Sequence, residues 1–342
     1  MKVLILGIDG YIGIQMYQVL TERGHDVVGI DTGFYRDGWL YNDVKYLPKT
    51  LNKDTRNVDS QDLIGYDAII YLADLSNDPL GQHNPELTYQ INHKASMRIA
   101  NLAKEAGVKR FIYSSSCSAY GIATEDFVTE ESVLNPQTAY AKCKVLVEND
   151  LRKLASADFS PTYMRNATVY GPSPRMRFDL VVNNLSGLAH TTREIKMTSD
   201  GTPWRPLVHI LDVCDAFTCV LEAPTSIVSN QVFNVGSSSG NYQVKQIAEI
   251  VANVFSGCKL SFGNSDGDTR SYRVSFDKIK STLPNFKCER TVEDGARDLK
   301  VIFESIKMTR ETFDYRAFTR IKELDYLLAT GQVDDQFFWR KL

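Results

Sequence analysis

Three groups of residues in this 342-residue chain have types and spacings that bear on chemistry. The first is Gly7, Gly10 and Gly13, set between the apolar run Val3-Leu4-Ile5-Leu6 and the helically spaced Ile14, Met16, Tyr17, Val19 and Leu20. Strand, glycine turn and helix in that order bring backbone close to a pyrophosphate at the helix N-terminus, where free N–H groups and the dipole favour an anion. Asp31 closes the next apolar run, Val27-Val28-Gly29-Ile30. It stands about twenty residues past the loop, where a carboxylate accepts from the diol of an adenosine ribose. A tight turn in any α/β protein explains one or two of these glycines; three plus the acid predict a dinucleotide site. The second group is Ser114, Ser115, Ser116 and Ser118, at the end of the short strand Phe111-Ile112-Tyr113. The third is Tyr140 and Lys144, four residues apart and so on one face of a helix. On spacing alone the serines are a polar loop, and the pair is a surface tyrosine packed against a lysine stem.

The elements that must position these groups follow in order. A weak strand is expected near Val44–Leu47, then Asp54-Thr55-Arg56 at a strand end, where an acid could bond an adenine amino group or cap a solvated turn. Asp67 to Ala73 is a buried strand entering Asp74-Leu75-Ser76-Asn77-Asp78-Pro79, a loop expected to cross the cofactor. Leu87, Ile91, Ala95, Ile99, Leu102, Ala103 and Ala106 mark a helix over 86–106, stopped by Gly107. Asn92 is the short polar residue on its apolar face; asparagine costs helix propensity, so its side chain is expected to be used. A further strand and turn, Tyr163 to Pro172, closes a doubly wound half. The domain boundary is expected there: residues 1–172 as a Rossmann α/β domain with a parallel sheet, and 173–342 as a smaller, mixed C-terminal substrate-binding region, with later returns to the sheet near 207–235.

Composition limits the function classes. At 43% hydrophobic and 24% charged residues the chain is an ordinary globular protein. A net charge of −3 gives no basic footprint for nucleic acid. No apolar run reaches membrane-spanning length. The first residues already read as a strand, so no signal peptide is expected. The six cysteines, at 117, 143, 214, 219, 258 and 288, lack metal-ligand spacing, so no metal is expected and the thiols read as reduced in a cytoplasmic protein. His209 and Asp212 look like an acid–base pair, and it is the family resemblance given below that implies a structural role for that stretch; His83 and His93 are assigned to the surface.

Taken together, these pieces resemble extended short-chain dehydrogenases of the NAD-dependent nucleotide-sugar epimerase/dehydratase family (UDP-glucose 4-epimerase-like). The resemblance spans nearly the whole chain. It rests on Gly7, Gly10, Gly13, Asp31, Leu72-Ala73, Asn92, Ser116 within Ser-Ser-Ser-Cys-Ser-Ala-Tyr-Gly, Tyr140-x-x-x-Lys144, Arg165 with Tyr170-Gly171-Pro172, and Arg205 in Trp-Arg-Pro-Leu-Val-His. It reverses the bland reading of Tyr140 and Lys144.

The resemblance implies that NAD is held by Gly7, Gly10, Tyr11, Ile12, Gly13, Asp31, Asp54, Thr55, Leu72, Ala73, Asn92, Ser114, Tyr140 and Lys144. It implies Tyr140 as base, Lys144 as the ammonium that favours its phenolate, and Ser116 as the group orienting the sugar oxygen. A UDP-, GDP- or dTDP-hexose would lie against Ser116, Ser118, Thr168, Asn184 (or Asn183), Arg205 and Arg270, with Arg273 a further candidate. Arg205 would clamp the diphosphate. A homodimer through the helices near 86–106 and 137–155 is implied too.

The chain departs from the family at several positions, among them Thr168, where many relatives have asparagine. Leu6 stands where many relatives have threonine. Asp74 follows Leu72-Ala73 where relatives usually have alanine. Cys117 and Ser118 occupy the places of the Asp-Glu pair that dehydrating relatives use. The expected function is therefore epimerisation at sugar C4 by transient oxidation, ahead of net oxidation or reduction at C4, of 4,6-dehydration and of non-catalytic NAD sensing.

Overall fold

The computed structural model describes residues 1–340 except Asp43, Asn77, 79–83, 123–124 and 265–270. His83 and Arg270 lie outside the described residues.

Seven parallel strands form the main sheet: β1 (Lys2–Leu6), β2 (Asp26–Asp31), β3 (Thr50–Asn52), β4 (Ala68–Tyr71), β5 (Arg110–Ser116), β6 (Ser160–Asn166) and β10 (Gln231–Val235). Their spatial order is β10-β6-β5-β4-β1-β2-β3. Strand order reverses at β1, and the crevice outside the carboxyl ends of β1 and β4 is where such sheets bind ligands. The run Val3 to Leu6 is continuous because both sheet faces are covered. Val3 and Ile5 pack with Met16, Tyr17 and Leu20 of α1 (Tyr11–Glu22) and with Val213 and Phe217 of a later helix. Leu4 and Leu6 point the other way, to the cluster holding Ile99, Ala103, Val147 and Leu151.

Those last four residues belong to two helices. Pro85–Thr88, Tyr89–Ala95 and Ser96–Glu105 run end to end as α2, and the middle piece has the wider π-helical turn. Ala139–Leu154 is α3, capped by Thr138, whose Oγ1 accepts from the Ala141 N–H at 3.2 Å.

The edge strand differs from expectation. It falls at Thr50–Asn52, not Val44–Leu47. Side chains of α1 occupy the backbone of the earlier segment instead: Tyr17 Oη donates to Leu47 O (3.0 Å), and the Gln18 amide both donates to Tyr46 O (2.5 Å) and accepts from Tyr46 N (3.0 Å).

The remaining chain builds a smaller mixed region. Strands β7 (Thr168–Tyr170), β9 (Trp204–His209) and β11 (Asn241–Gln243) form one small sheet; β8 (Glu194–Lys196) and β12 (Lys259–Ser261) form another. A second core joins α4 (Val181–Thr192), through Val182, Leu185 and Ala189, to Phe178, Ile247, Val251, Leu299 and Phe303. Ile210–Glu222 is α5, which packs on the main sheet beside α1 and carries Val213 and Phe217. Near the C-terminus, α6 (Arg320–Ala329) returns to the main domain. Its Leu324 and Leu327 are buried with Phe34, Leu75, Leu87 and Ile91. No helix among the described residues is long and apolar enough to cross a membrane.

Candidate active site

A cleft of about 600 Å³ runs along the carboxyl ends of the parallel strands, roofed on one side by the smaller region and α6. Its floor is the glycine loop. Gly7 sits at φ +88°, a conformation glycine adopts freely. A Cβ on Gly13 would lie 2.1 Å from Gly7 O, so only glycine lets α1 start so close to β1. Gly10 caps α1 with no side-chain hydrogen bond, which leaves the first N–H groups of the helix to a ligand.

Asp31 lines the cleft at the end of β2. Its Oδ1 accepts from Gly33 N (2.8 Å) and its Oδ2 from Asp9 N (3.0 Å). Desolvation, with Asp9 close by, pushes its carboxyl up to about 6. Asp54 also lines the cleft, but its carboxylate caps its own turn and forms a bidentate pair with Arg56 (2.9 and 2.7 Å). Tyr11, Ile12, Thr55, Leu72 and Ala73 line it as well.

At the far end stand the three serines of β5, Tyr140 and Lys144. The Ser116 hydroxyl faces the Tyr140 phenol and acts to favour its charged form. Lys144 lies one helical turn on, its Nζ 5.3 Å from the Tyr140 ring centroid. Burial raises the phenol; the Lys144 ammonium opposes that, and Asp74 adds to it. The ammonium is itself buried, and it bonds Ser114 O and, at 2.5 Å, Asp74 Oδ2. Burial works against its charge, but the Asp74 carboxylate holds it protonated. Asp74 is thus the counter-ion of Lys144, and its Oδ1 is buried without a partner.

Behind this surface, Glu148 accepts from Ser115 (2.5 Å) and forms a bidentate pair with Arg165 (3.0 and 2.6 Å), while Arg165 Nη1 donates to Tyr120 Oη (3.0 Å). Arg165 is therefore a buried strut that fixes the serine loop.

The cleft also takes in Ser114, Ser118, Thr168 and Arg205 of the expected set. Three further expectations fare differently. Asn92 does not line the cleft: its Oδ1 accepts from Leu75 N (2.8 Å) and its Nδ2 donates to Leu75 O (3.1 Å), so it clamps the loop that does. Asn184 does not line it either; its Nδ2 donates to Phe178 O (2.9 Å) because α4 turns that face inward. Asn183 is spent inside the fold, on Gly171 N, Tyr11 Oη and Arg177 O. His209 and Asp212 stay outside the cleft: His209 caps α5, and Asp212 pairs with Arg290.

The sequence alone did not single out the roof residues Arg320, Tyr35 and Tyr272, the wall pair Arg177 and Asp179, or Asn166 at the end of β6. Asn166 stands directly opposite Ser116 in register and donates to Ser114 Oγ (3.0 Å), a partnership only strand pairing reveals.

The cleft fits a dinucleotide. An uncapped helix N-terminus faces it, carboxylates line it at separate points, and Asp74 Oδ1, Asn166 Oδ1 and Ser118 Oγ are orphaned polar atoms in its wall. Fold and cleft together define an enzyme class that holds a nucleotide cofactor, with Ser116, Tyr140 and Lys144 gathered at one end of the cleft. The chain belongs to the NAD dependent epimerase/dehydratase family, whose model matches residues 3–236. It is accordingly an NAD-dependent enzyme of the extended short-chain dehydrogenase type.

The UDP-glucose 4-epimerase of Corynebacterium glutamicum is 28% identical over 270 residues, covering 74% of this chain and 80% of that protein. Among solved structures, MoeE5 in complex with UDP-glucose and NAD matches with a TM-score of 0.77 at 23% identity, over 90% of this chain and all of its own. TunA, an NAD-dependent NDP-hexosamine 5,6-dehydratase of tunicamycin biosynthesis, matches with the same score and identity over 89% of this chain and 98% of its own. At such identities the two structures speak to the fold alone.

Proposed function

We propose that the protein is a 4-epimerase of a nucleoside-diphosphate hexose, with UDP-hexoses the first substrates to test. The observation that carries this reading is the composition of the centre. A Tyr140–Ser116 hydroxyl pair stands beside the Lys144 ammonium, while the positions after Ser116 are Cys117 and Ser118, neither able to move protons as a carboxylate does. When bound, NAD supplies a hydride acceptor and donor. Tyr140 takes the proton from the sugar C4 hydroxyl and returns it; Ser116 holds the same oxygen. Lys144 favours the phenolate and holds the cofactor side of the centre. Cys117 is buried, and its Sγ donates to Arg165 O (3.2 Å), so it has no part in the chemistry. Arg205 and Thr168 border the substrate end, with Arg205 on the diphosphate. The relatives named for UDP-glucose 4-epimerisation support the same choice.

The test is to incubate the protein with UDP-, GDP- and dTDP-hexoses and read sugar configuration by NMR. Inversion at C4 in one series supports the reading. Release of a 4-keto-6-deoxy sugar, the product of water loss, sinks it.

Assembly belongs to the same proposal. Helices α2 and α3 lie side by side, tied by His93 Nε2 and Asp150 Oδ2 at 2.8 Å, and Leu146 of α3 is exposed. A homodimer on this face is what sedimentation equilibrium would detect.

A further inference from the structure

Arg320 is the anomaly of the cleft wall. It opens α6 and is only 3% exposed. Its guanidinium stacks on the Tyr35 ring, 3.7 Å from the centroid, and Tyr35 lines the cleft beside it. No hydrogen bond or ion pair among the described residues engages that guanidinium. The five N–H donors of that guanidinium open onto the cleft it lines and not onto the packed interior, so they are placed to meet an acceptor on a bound ligand.

The surroundings make this specific. Arg177, the neighbouring arginine in the same wall, is fully used: it forms a bidentate pair with Asp179 (2.9 Å twice) and donates to Ser76 O and Oγ (3.3 Å each). Arg175 donates to Tyr35 O (3.1 Å) and Arg36 O, which fixes the segment under the Tyr35 ring. Glu323, one turn along α6, is paired with Arg316 at 3.1 Å. Asp31 and Asp179 are the other carboxylates in the field of Arg320, and neither forms an ion pair with it. The position is held rigidly, because Leu324 and Leu327 anchor α6 on Phe34, Leu75 and Ile91. So a cation from the C-terminal region is fixed over the Asp31 side of a cleft whose floor is an uncapped helix N-terminus. Both features ask for one ligand chemistry, a phosphate anion between them.

We propose that Arg320 closes over the diphosphate of the bound dinucleotide, making the C-terminal helix part of the cofactor site. The proposal rests on the family's use of NAD and not on the epimerase reading. The cleft then grips the diphosphate from two sides, with the N–H groups of α1 below and the guanidinium above.

The test uses the full chain freed of bound nucleotide, with NAD, NADP, ADP and adenosine titrated into wild type, Arg320→Met and Arg320→Lys by calorimetry. Losing a charge-assisted hydrogen bond should weaken NAD and ADP by roughly 10- to 100-fold in Arg320→Met and leave adenosine unchanged. Arg320→Lys should recover part of the loss. The ligand-free melting temperature of Arg320→Met should equal or exceed that of wild type, since no hydrogen bond is removed, while the rise on adding NAD shrinks. Equal weakening of ADP and adenosine would make Arg320 a structural residue and overturn the proposal. So would an Arg320→Met chain that fails to fold. A loss confined to NADP would assign the guanidinium to a ribose 2′-phosphate instead and also overturn it.

Discussion

Asp74 changes how the Tyr140–Lys144 pair works. Its carboxylate lies against the Lys144 ammonium at 2.5 Å, so part of the field that would favour a Tyr140 phenolate is cancelled. Among the influences on the phenol, Asp74 acts in the raising direction. Removing that charge should therefore lower the pH at which Tyr140 deprotonates. Asp74→Asn keeps the shape and is expected to move the acidic limb of the turnover profile to lower pH, which steady-state rates across a pH series would reveal. An unmoved limb would mean that Asp74 does not act on Tyr140.

Asp31 offers a second titration. Its carboxyl is raised to about 6, so the ligand-free chain gains stability from this group as pH falls through about 6 towards the ordinary carboxylate value. A protonated Asp31 is a poorer acceptor for a ribose diol, so NAD affinity should fall over the same window. In Asp31→Asn that slope should flatten; calorimetric titration across the window checks it. Asp31 was legible from its distance past the glycine loop, whereas Tyr140 and Lys144 were legible only through the family resemblance, because their spacing alone gave a surface pair. Asp74 was visible as a departure, but its partner, seventy positions away, was not.

At the scale of elements, the loop after β4 is shaped by α2. Asn92 sits in the π-helical segment, fully buried, and satisfies both backbone groups of Leu75. A widened turn of this kind is frequent at functional sites. The apolar periodicity over 86–106 predicted a helix and flagged Asn92, yet periodicity says nothing about where an amide on that face will end. It ends on backbone behind the cleft. Asn92→Ala would strand a buried N–H and C=O and is expected to cost roughly 2–4 kcal/mol, read as a shift in urea unfolding. A cost well under that range would mean the clamp is dispensable. The misplaced edge strand has a similar cause: Val44–Leu47 has an adequate pattern, but the α1 side chains of Tyr17 and Gln18 take its carbonyls first.

At the scale of the molecule, the doubly wound half was readable where its strands are short apolar runs, as in β1, β2 and β4, and unreadable at the polar edge strand β3. The roof was not readable either. α6 has no motif of its own, and only the buried contacts of Leu324 and Leu327 with Phe34 and Ile91 bring Arg320 over a cleft whose floor is three hundred residues earlier. The same long-range closure puts the glycine loop, Ser116, Tyr140 and Lys144, and Thr168 and Arg205 in one cleft. An epimerase needs such a cleft, because it must return to a carbon the hydride it removed. The most direct measurement uses a UDP-hexose deuterated at C4, with the product examined by NMR while the absorbance of reduced nicotinamide is followed. The account predicts an inverted C4 that keeps its deuterium, with no net absorbance change. Deuterium lost from C4 together with stoichiometric growth of reduced nicotinamide and a keto sugar would contradict it and make the protein an oxidoreductase that exchanges its cofactor each turnover.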